Sequence, residues 1–268
     1  MVTTREAVVA GQFYPGTKAG LEKMLSGLTE RGKTEDICGA MSPHAGYIYS
    51  GGVAGKVLSR MKKHDLFVII GPNHTGRGEP FSVFPKGRWS TPLGVVEIDD
   101  EFADYLISKS KIFKPDQVAH IYEHSIEVQI PFLQYMMKDF KIVPIIIGSM
   151  DIKKLKEAGT EIGRAIKALK RDAAIIASSD MTHYESQKMA EQKDREALSA
   201  ILNMNEDDLA GKVVNMDISM CGVAPVITML SAAKQLGAKK AELVDYKTSG
   251  DSSGDYSSVV GYGGVIIK

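Results

Sequence analysis

The sequence predicts an α/β fold: a single three-layer α/β/α domain over residues 1–268, with a central sheet that is mostly parallel but mixed. Three observations predict it. Apolar, partly β-branched runs recur from end to end and are nearly continuous, as strands covered on both faces are. Amphipathic helical patterns lie between them. No linker, repeat or low-complexity tract divides the 268 residues, a length that can bury a substantial core.

In chain order, Leu21, Met24, Leu25 and Leu28 fall at i, i+3, i+4 and i+7 and predict a first helix. Ile37–Met41 and Leu66–Ile70 predict strands. The segment from Phe81 to Val96, with Trp89, Pro92 and Gly94, is less regular and predicts extra strands or a lid. The stretch around His120 to Glu127 reads as a loop entering a short helix, because Pro131 would end or kink a long one. Ile142–Ile147 and Ala173–Ala177 predict two more strands, separated by a helix through Leu155, Ile162, Ile166 and Leu169. Val226, Met229, Leu230 and Ala233 predict a helix with Pro225 near its start, where proline is tolerated. Ala241–Val244 and Val259–Ile267 complete the sheet.

Composition narrows the setting. Hydrophobic residues are 44% and charged residues 25%, which argues against disorder and fibrous classes. Thirty-three basic residues balance thirty-three acidic ones, so no long-range field favours nucleic acid or an anionic membrane. Cys38 and Cys221 are too sparse for a disulfide framework and fit a reducing compartment. The N-terminal Met-Val-Thr-Thr-Arg-Glu lacks a signal-peptide pattern, and the apolar runs are too short to span a bilayer. The expected location is cytoplasmic.

Four of the six histidines point to a site. His44, His74 and His183 each follow a strand run, and strand C-termini of an open α/β sheet converge on a ligand-binding crevice. Either His44 or His74 alone could be a core imidazole; two in equivalent positions favour a shared site. His183 comes with Asp180, which could orient the imidazole or bind the metal. A helix N-cap made by Ser179 or Asp180 fits the same residues. His120 and His124 are four apart, a spacing that shares a helix face, but the order differs from the His-Glu-x-x-His zinc signature. His124 with Glu123 reads as a substrate-facing pair, and His120 is evenly balanced between site and core. His64 lies in a charged turn and reads as solvated surface. Cys221 precedes a helix, whose dipole can lower a thiol pKa, and reads equally as an inert buried cysteine.

Phosphate loops, a Gly-x-Gly-x-x-Gly fingerprint, a nucleophile elbow and paired Cys-x-x-Cys motifs are all absent. A site of imidazoles and carboxylates remains. Chemistry of that kind works through a metal, and two histidines with one carboxylate suit non-haem Fe(II).

The phrases Gly11-Gln-Phe-Tyr-Pro15, Ser42-Pro-His-Ala-Gly-Tyr-Ile-Tyr-Ser-Gly51, Gly71-Pro-Asn-His-Thr-Gly76, Trp89-Ser-Thr-Pro-Leu-Gly94, Glu123-His-Ser-Ile-Glu127, Ser178-Ser-Asp-Met-Thr-His183 and Cys221-Gly222 together resemble the Memo family. Its prokaryotic members are called AmmeMemoRadiSam system protein B, a name that implies association with a radical SAM and an AMMECR-type protein. The family is similar in structure to class III extradiol dioxygenases of the LigB type, which are non-haem iron enzymes. The resemblance implies a LigB-dioxygenase-like fold, His44 and His74 as metal ligands, and His183 as an acid/base residue beside Asp180. The dioxygenases place a glutamate at the third ligand position, and a eukaryotic Memo relative a cysteine. In the corresponding stretch here, Ser249 to Asp255, Asp251 is the nearest candidate, with Asp255 behind it. Cys221 or water are the other ways to complete the sphere.

Two functions follow. One is a metal-dependent, dioxygenase-like oxidoreductase with Fe(II) or copper on His44, His74 and Asp251. The other is a non-catalytic module that binds a peptide or small ligand in the same crevice, as eukaryotic relatives bind phosphorylated receptor peptides. A zinc hydrolase fits less well, because no glutamate stands as general base beside a histidine pair.

Overall fold

The computed structural model describes residues 3–30, 32 and 34–268; Met1 and Val2 of the N-terminal stretch, with Arg31 and Lys33, lie outside them. The strands are β1 (Thr4–Arg5), β2 (Gly39–Ser42), β3 (Leu66–Pro72), β4 (Phe81–Val83), β5 (Arg88–Thr91), β6 (Gly94–Ile98), β7 (Lys114–Pro115), β8 (Lys141–Ile147), β9 (Ala173–Ser178), β10 (His183–Glu185), β11 (Ala241–Thr248) and β12 (Val259–Ile267). The helices are α1 (Lys18–Leu28), α2 (Tyr47–Ser59), α3 (Asp100–Lys109), α4 (Ile130–Met136), α5 (Ile152–Ala168), α6 (Gln187–Leu202), α7 (Glu206–Asn215), α8 (Val223–Leu236) and the single turn α9 (Gly250–Ser253).

Among the described residues the strands form one mixed sheet in the order β1-β5-β6-β8-β3-β9-β2-β12-β10, with β11 on β12, β4 on β8 and β7 on β4. The middle strands β6, β8, β3, β9 and β2 are parallel. Antiparallel pairs occur at the margins, where β12 returns along β2 and β11. Alternate residues of β3 serve opposite layers. Val68 and Ile70 pack with α5 and α8 through Leu155, Ile162, Val226 and Leu230. Phe67 and Ile69 pack with α1, α2 and α4 through Leu25, Leu58 and Phe132. Both faces are therefore covered, which is why β3 is apolar along its length. Each such buried side chain contributes about 1.5–3 kcal/mol relative to exposure.

The predicted strands and helices form, and Phe81 to Val96 contributes β4, β5 and β6 to the sheet rather than a lid. The expectation of two covered faces fails at β11, which among the described residues pairs only with β12 and is mostly half-buried. An edge strand has no neighbour on one side to complete the layers over it. No helix among the described residues is long and apolar enough to cross a membrane.

The register aligns the strand ends. Ser42 at the end of β2 is opposite Ser178 at the end of β9, and Ile70 of β3 is opposite Ala177. The residues that follow these strands therefore leave the sheet at one level.

Candidate metal centre

His44 lies two residues beyond β2 and His74 two beyond β3, and both are held by their main chains. The His44 N–H donates to Asp180 Oδ1 at 2.7 Å. In the same way the His74 N–H donates to Glu123 Oε2 at 2.7 Å. Asn73 Oδ1 accepts the N–H groups of Thr75 and Gly76, closing a tight turn that carries His74.

Hydrogen bonding settles both tautomers. The Ser178 hydroxyl donates to the Ser125 carbonyl at 2.6 Å and accepts from Gln129 Nε2 at 2.9 Å. Its proton is thus committed, and Ser178 Oγ accepts the Nδ1–H of His44 at 2.9 Å. His74 Nδ1–H donates to Glu123 Oε1 at 2.9 Å. In the neutral form both imidazoles therefore leave Nε2 bare, as ligating histidines do when their other nitrogen is held.

Cys221 completes the group. Its Sγ lies 3.2 Å from His44 Nε2, and one donor atom each from His44, His74 and Cys221 all fall within 4.8 Å of one another. Gly222 permits this approach, because a Cβ there would sit 2.2 Å from the Ser179 Cβ and 2.5 Å from the Ser178 carbonyl oxygen. The backbone can thus bring the start of α8 against the end of β9. One donor atom each from His74, Glu123 and His124 likewise falls within 4.8 Å of the others. The carboxylate of this group is already engaged by the ring and main chain of His74 and by the Ser125 N–H, so Glu123 orients His74 rather than offering a ligand.

Electrostatics act differently on the three donors. Burial, reinforced by the charges of His124, His74 and His183, pushes the His44 pKa well below the usual imidazole value, so it stays neutral. Burial raises the Glu123 carboxyl, but the His74 hydrogen bond and charge and the Ser125 N–H outweigh it and hold the carboxyl down at about 2. Burial also lowers His74, and its bond to Glu123 more than reverses that. Burial, with the nearby Asp180 charge, pushes the Cys221 thiol well up. The metal-free thiol is therefore protonated, and a cation binding there would displace its proton. Two imidazole nitrogens and one sulfur form a donor set suited to copper, iron or zinc.

Around these donors, His124 stacks on His74 with centroids 4.8 Å apart and stands edge-on to His44 at 5.5 Å. Phe13 closes its other side at 4.9 Å. Asp180 is buried, and desolvation raises its carboxyl against the hydrogen bonds from His44 and Ala45 and the charges of His183 and His74. His183 begins β10 and is anchored to Ser219, with its N–H 2.7 Å from Ser219 Oγ and its Nδ1 3.0 Å from the Ser219 carbonyl oxygen.

Several expectations change. Asp251 joins neither donor group; its carboxylate accepts the Thr248 N–H at 2.8 Å, a local bond that uses it to cap its own turn. Asp255 is exposed and accepts from the Ser257 N–H and hydroxyl. His64 is not solvated surface: it is 2% exposed, bonds Asp172 at 2.7 Å and stands edge-on to Phe67. His120 and His124 share no helix face, because the 3-10 turn Val118–His120 points His120 into the core toward Phe84 and Trp89. Among the described residues no helix is capped by Ser179 or Asp180; the chain enters β10, and α6 starts after Ser186. Ser178, Ser125 and Gln129 orient His44 across the fold, a role that no local sequence signal marks.

The family model described as Memo-like protein matches residues 5–266. A MEMO1 family protein of Methanosarcina barkeri is 44% identical over 267 residues, covering 98% of this chain and all of the relative. One from Aquifex aeolicus is also 44% identical, with 98% of each chain covered. Among solved structures, an uncharacterized protein from Escherichia coli K12 superposes with a TM-score of 0.57 at 14% identity, covering 86% of this chain and all of that one. That likeness shows a common fold. By family model and relatives alike, this chain belongs to the Memo family.

Proposed function

We propose that the protein binds one redox-active metal ion, Fe(II) or copper, through His44, His74 and Cys221, and acts as a metal-dependent oxidoreductase at that site. The observation that carries this reading is the convergence of three donors, two from the ends of β2 and β3 and one from the start of α8, with both imidazoles held at Nδ1. A structural core would not require two oriented Nε2 lone pairs facing a thiol. A bound ion of this kind supplies one-electron chemistry. The protein's own residues do the rest: Glu123 and Ser178 fix the ligand rings, and His124 and Phe13 wall one side and limit water. Asp180 and His183 carry ionisable groups beside the donors, where His183 Nε2 can take or return a proton.

The test is anaerobic loading with Fe(II), Cu(I) or Zn(II), followed by elemental analysis of wild type, His44→Ala, His74→Ala and Cys221→Ser. The expected result is one tightly held iron or copper ion in wild type and loss in each variant. Equal, negligible metal in all four proteins overturns the reading, and retention of zinc alone replaces the redox part of it.

A further inference from the structure

We infer that Ser219 is the positioning residue for His183: its carbonyl and hydroxyl together fix His183 as the Nδ1–H tautomer and leave Nε2 as the proton acceptor. The inference rests on the reading that His183 handles protons at the site, and it adds the device that makes the imidazole a base.

A carbonyl oxygen only accepts hydrogen bonds, so the 3.0 Å contact between His183 Nδ1 and the Ser219 carbonyl requires a proton on Nδ1. In a neutral imidazole that leaves Nε2 bare. The same residue holds the main chain, with Ser219 Oγ accepting the His183 N–H at 2.7 Å. One residue thus fixes both the ring and the backbone of His183.

The sheet alone does not set this position. The pairing of β10 with β12 shifts register between His183 and Glu185, and Tyr184 between them has φ 59°, a left-handed conformation that is rare for a bulky side chain. Such a conformation persists only where surrounding bonds over-determine it. A second tie supplies the rest: Lys193 Nζ bonds Glu185 of β10 at 2.5 Å and the Asp217 carbonyl at 2.8 Å. The segment from Asp217 to Cys221 is therefore fastened to β10 at two points. Ser219 also stands two residues before Cys221, so one short segment presents both the sulfur donor and the anchor of the base. His183 lies near enough to the donors for its charge to act on Asp180 and His44.

The test uses metal-free, full-length protein labelled with 15N-histidine, at a pH of about 9, well above the ordinary imidazole pKa of about 6.5. Long-range proton–nitrogen NMR spectra distinguish Nδ1–H from Nε2–H, and His183 is assigned by the signal lost in His183→Asn. Wild type is expected to show His183 as Nδ1–H. Ser219→Ala keeps the carbonyl but removes the hydroxyl that holds the His183 main chain, so the ring is expected to loosen from the carbonyl and its signal to shift toward a mixture of the Nδ1–H and Nε2–H patterns. A wild-type His183 in the Nε2–H form overturns the inference whether or not the variant folds, and a Ser219→Ala spectrum identical to wild type does the same. Metal loading of the same wild-type sample separates the two ideas. The Nδ1–H form without metal binding sinks only the metal site, and metal binding with the Nε2–H form sinks only the role of Ser219.

Discussion

Cys221 Sγ and His44 Nε2 stand 3.2 Å apart although 177 positions separate them in the chain. This proximity, with His74, brings Cys221 rather than Asp251 into the candidate donor group. Cys221→Ser is expected to weaken Cu(I) binding by more than the ~10–100-fold typical of losing an outer partner. Asp251→Ala, whose carboxylate only caps Thr248, is expected to leave it unchanged. Competition against a chromogenic Cu(I) chelator measures both; the reverse ranking would restore Asp251 as the ligand.

Glu123 meets His74 twice, at the ring and at the main chain. Glu123→Gln keeps the shape but removes the charge that fixes the Nδ1–H tautomer. Metal affinity is expected to fall roughly 10–100-fold while the fold is retained. Titration calorimetry with Zn(II) as a redox-silent probe reports it, and an unchanged affinity would show that the carboxylate does not tune His74.

Arg5 and Glu127 form a buried ion pair at 2.7 Å. Glu127 also accepts from the N–H groups of Val8 and Val9 and the Tyr14 hydroxyl, while Arg5 donates to the His120 and Glu123 carbonyls and lies over Trp89. Removing one partner strands the other, so Arg5→Ala is expected to cost about 3–5 kcal/mol in urea unfolding. Because Arg5 braces the segment carrying Glu123, His74 should loosen as well. A loss under about 1 kcal/mol would mean that water replaces the guanidinium.

His120 is buried, and desolvation, aided by the Arg5 charge, pushes its pKa down to about 3. Its Nε2 bonds Ser82. The folded chain leaves it neutral while the unfolded chain protonates it near the ordinary value of about 6.5. Between those values the unfolded state binds the extra proton, so stability falls as pH drops from about 6.5 toward 3. Near pH 4.5 the loss from this group alone is roughly 3 kcal/mol. His120→Gln is expected to flatten the dependence of the urea midpoint on pH between 7 and 4.5, whatever its effect at pH 7. Parallel curves for variant and wild type would rule this out.

Fold class and family were readable from the chain alone. Continuous apolar runs mark strands buried on both faces, and the phrases around His44, His74, Glu123 and Asp180 mark the family. These signals are local, since a run of Val, Ile and Leu carries its own periodicity. The partners of each imidazole are not local. His64 sits among charged neighbours in sequence yet is buried, with Asp172 bonded to its ring from far along the chain, and His120 goes to the core because Phe84 and Trp89 meet it from other elements. Cys221 reaches His44 because α8 begins against the end of β9, where Gly222 carries no side chain to hold Ser179 away. Asp251 falls the other way: a carboxylate three residues from a free backbone N–H caps its own turn before it can reach a distant site. Strand ends set where the histidines lie; the docking of one helix on one strand selects which atom completes them.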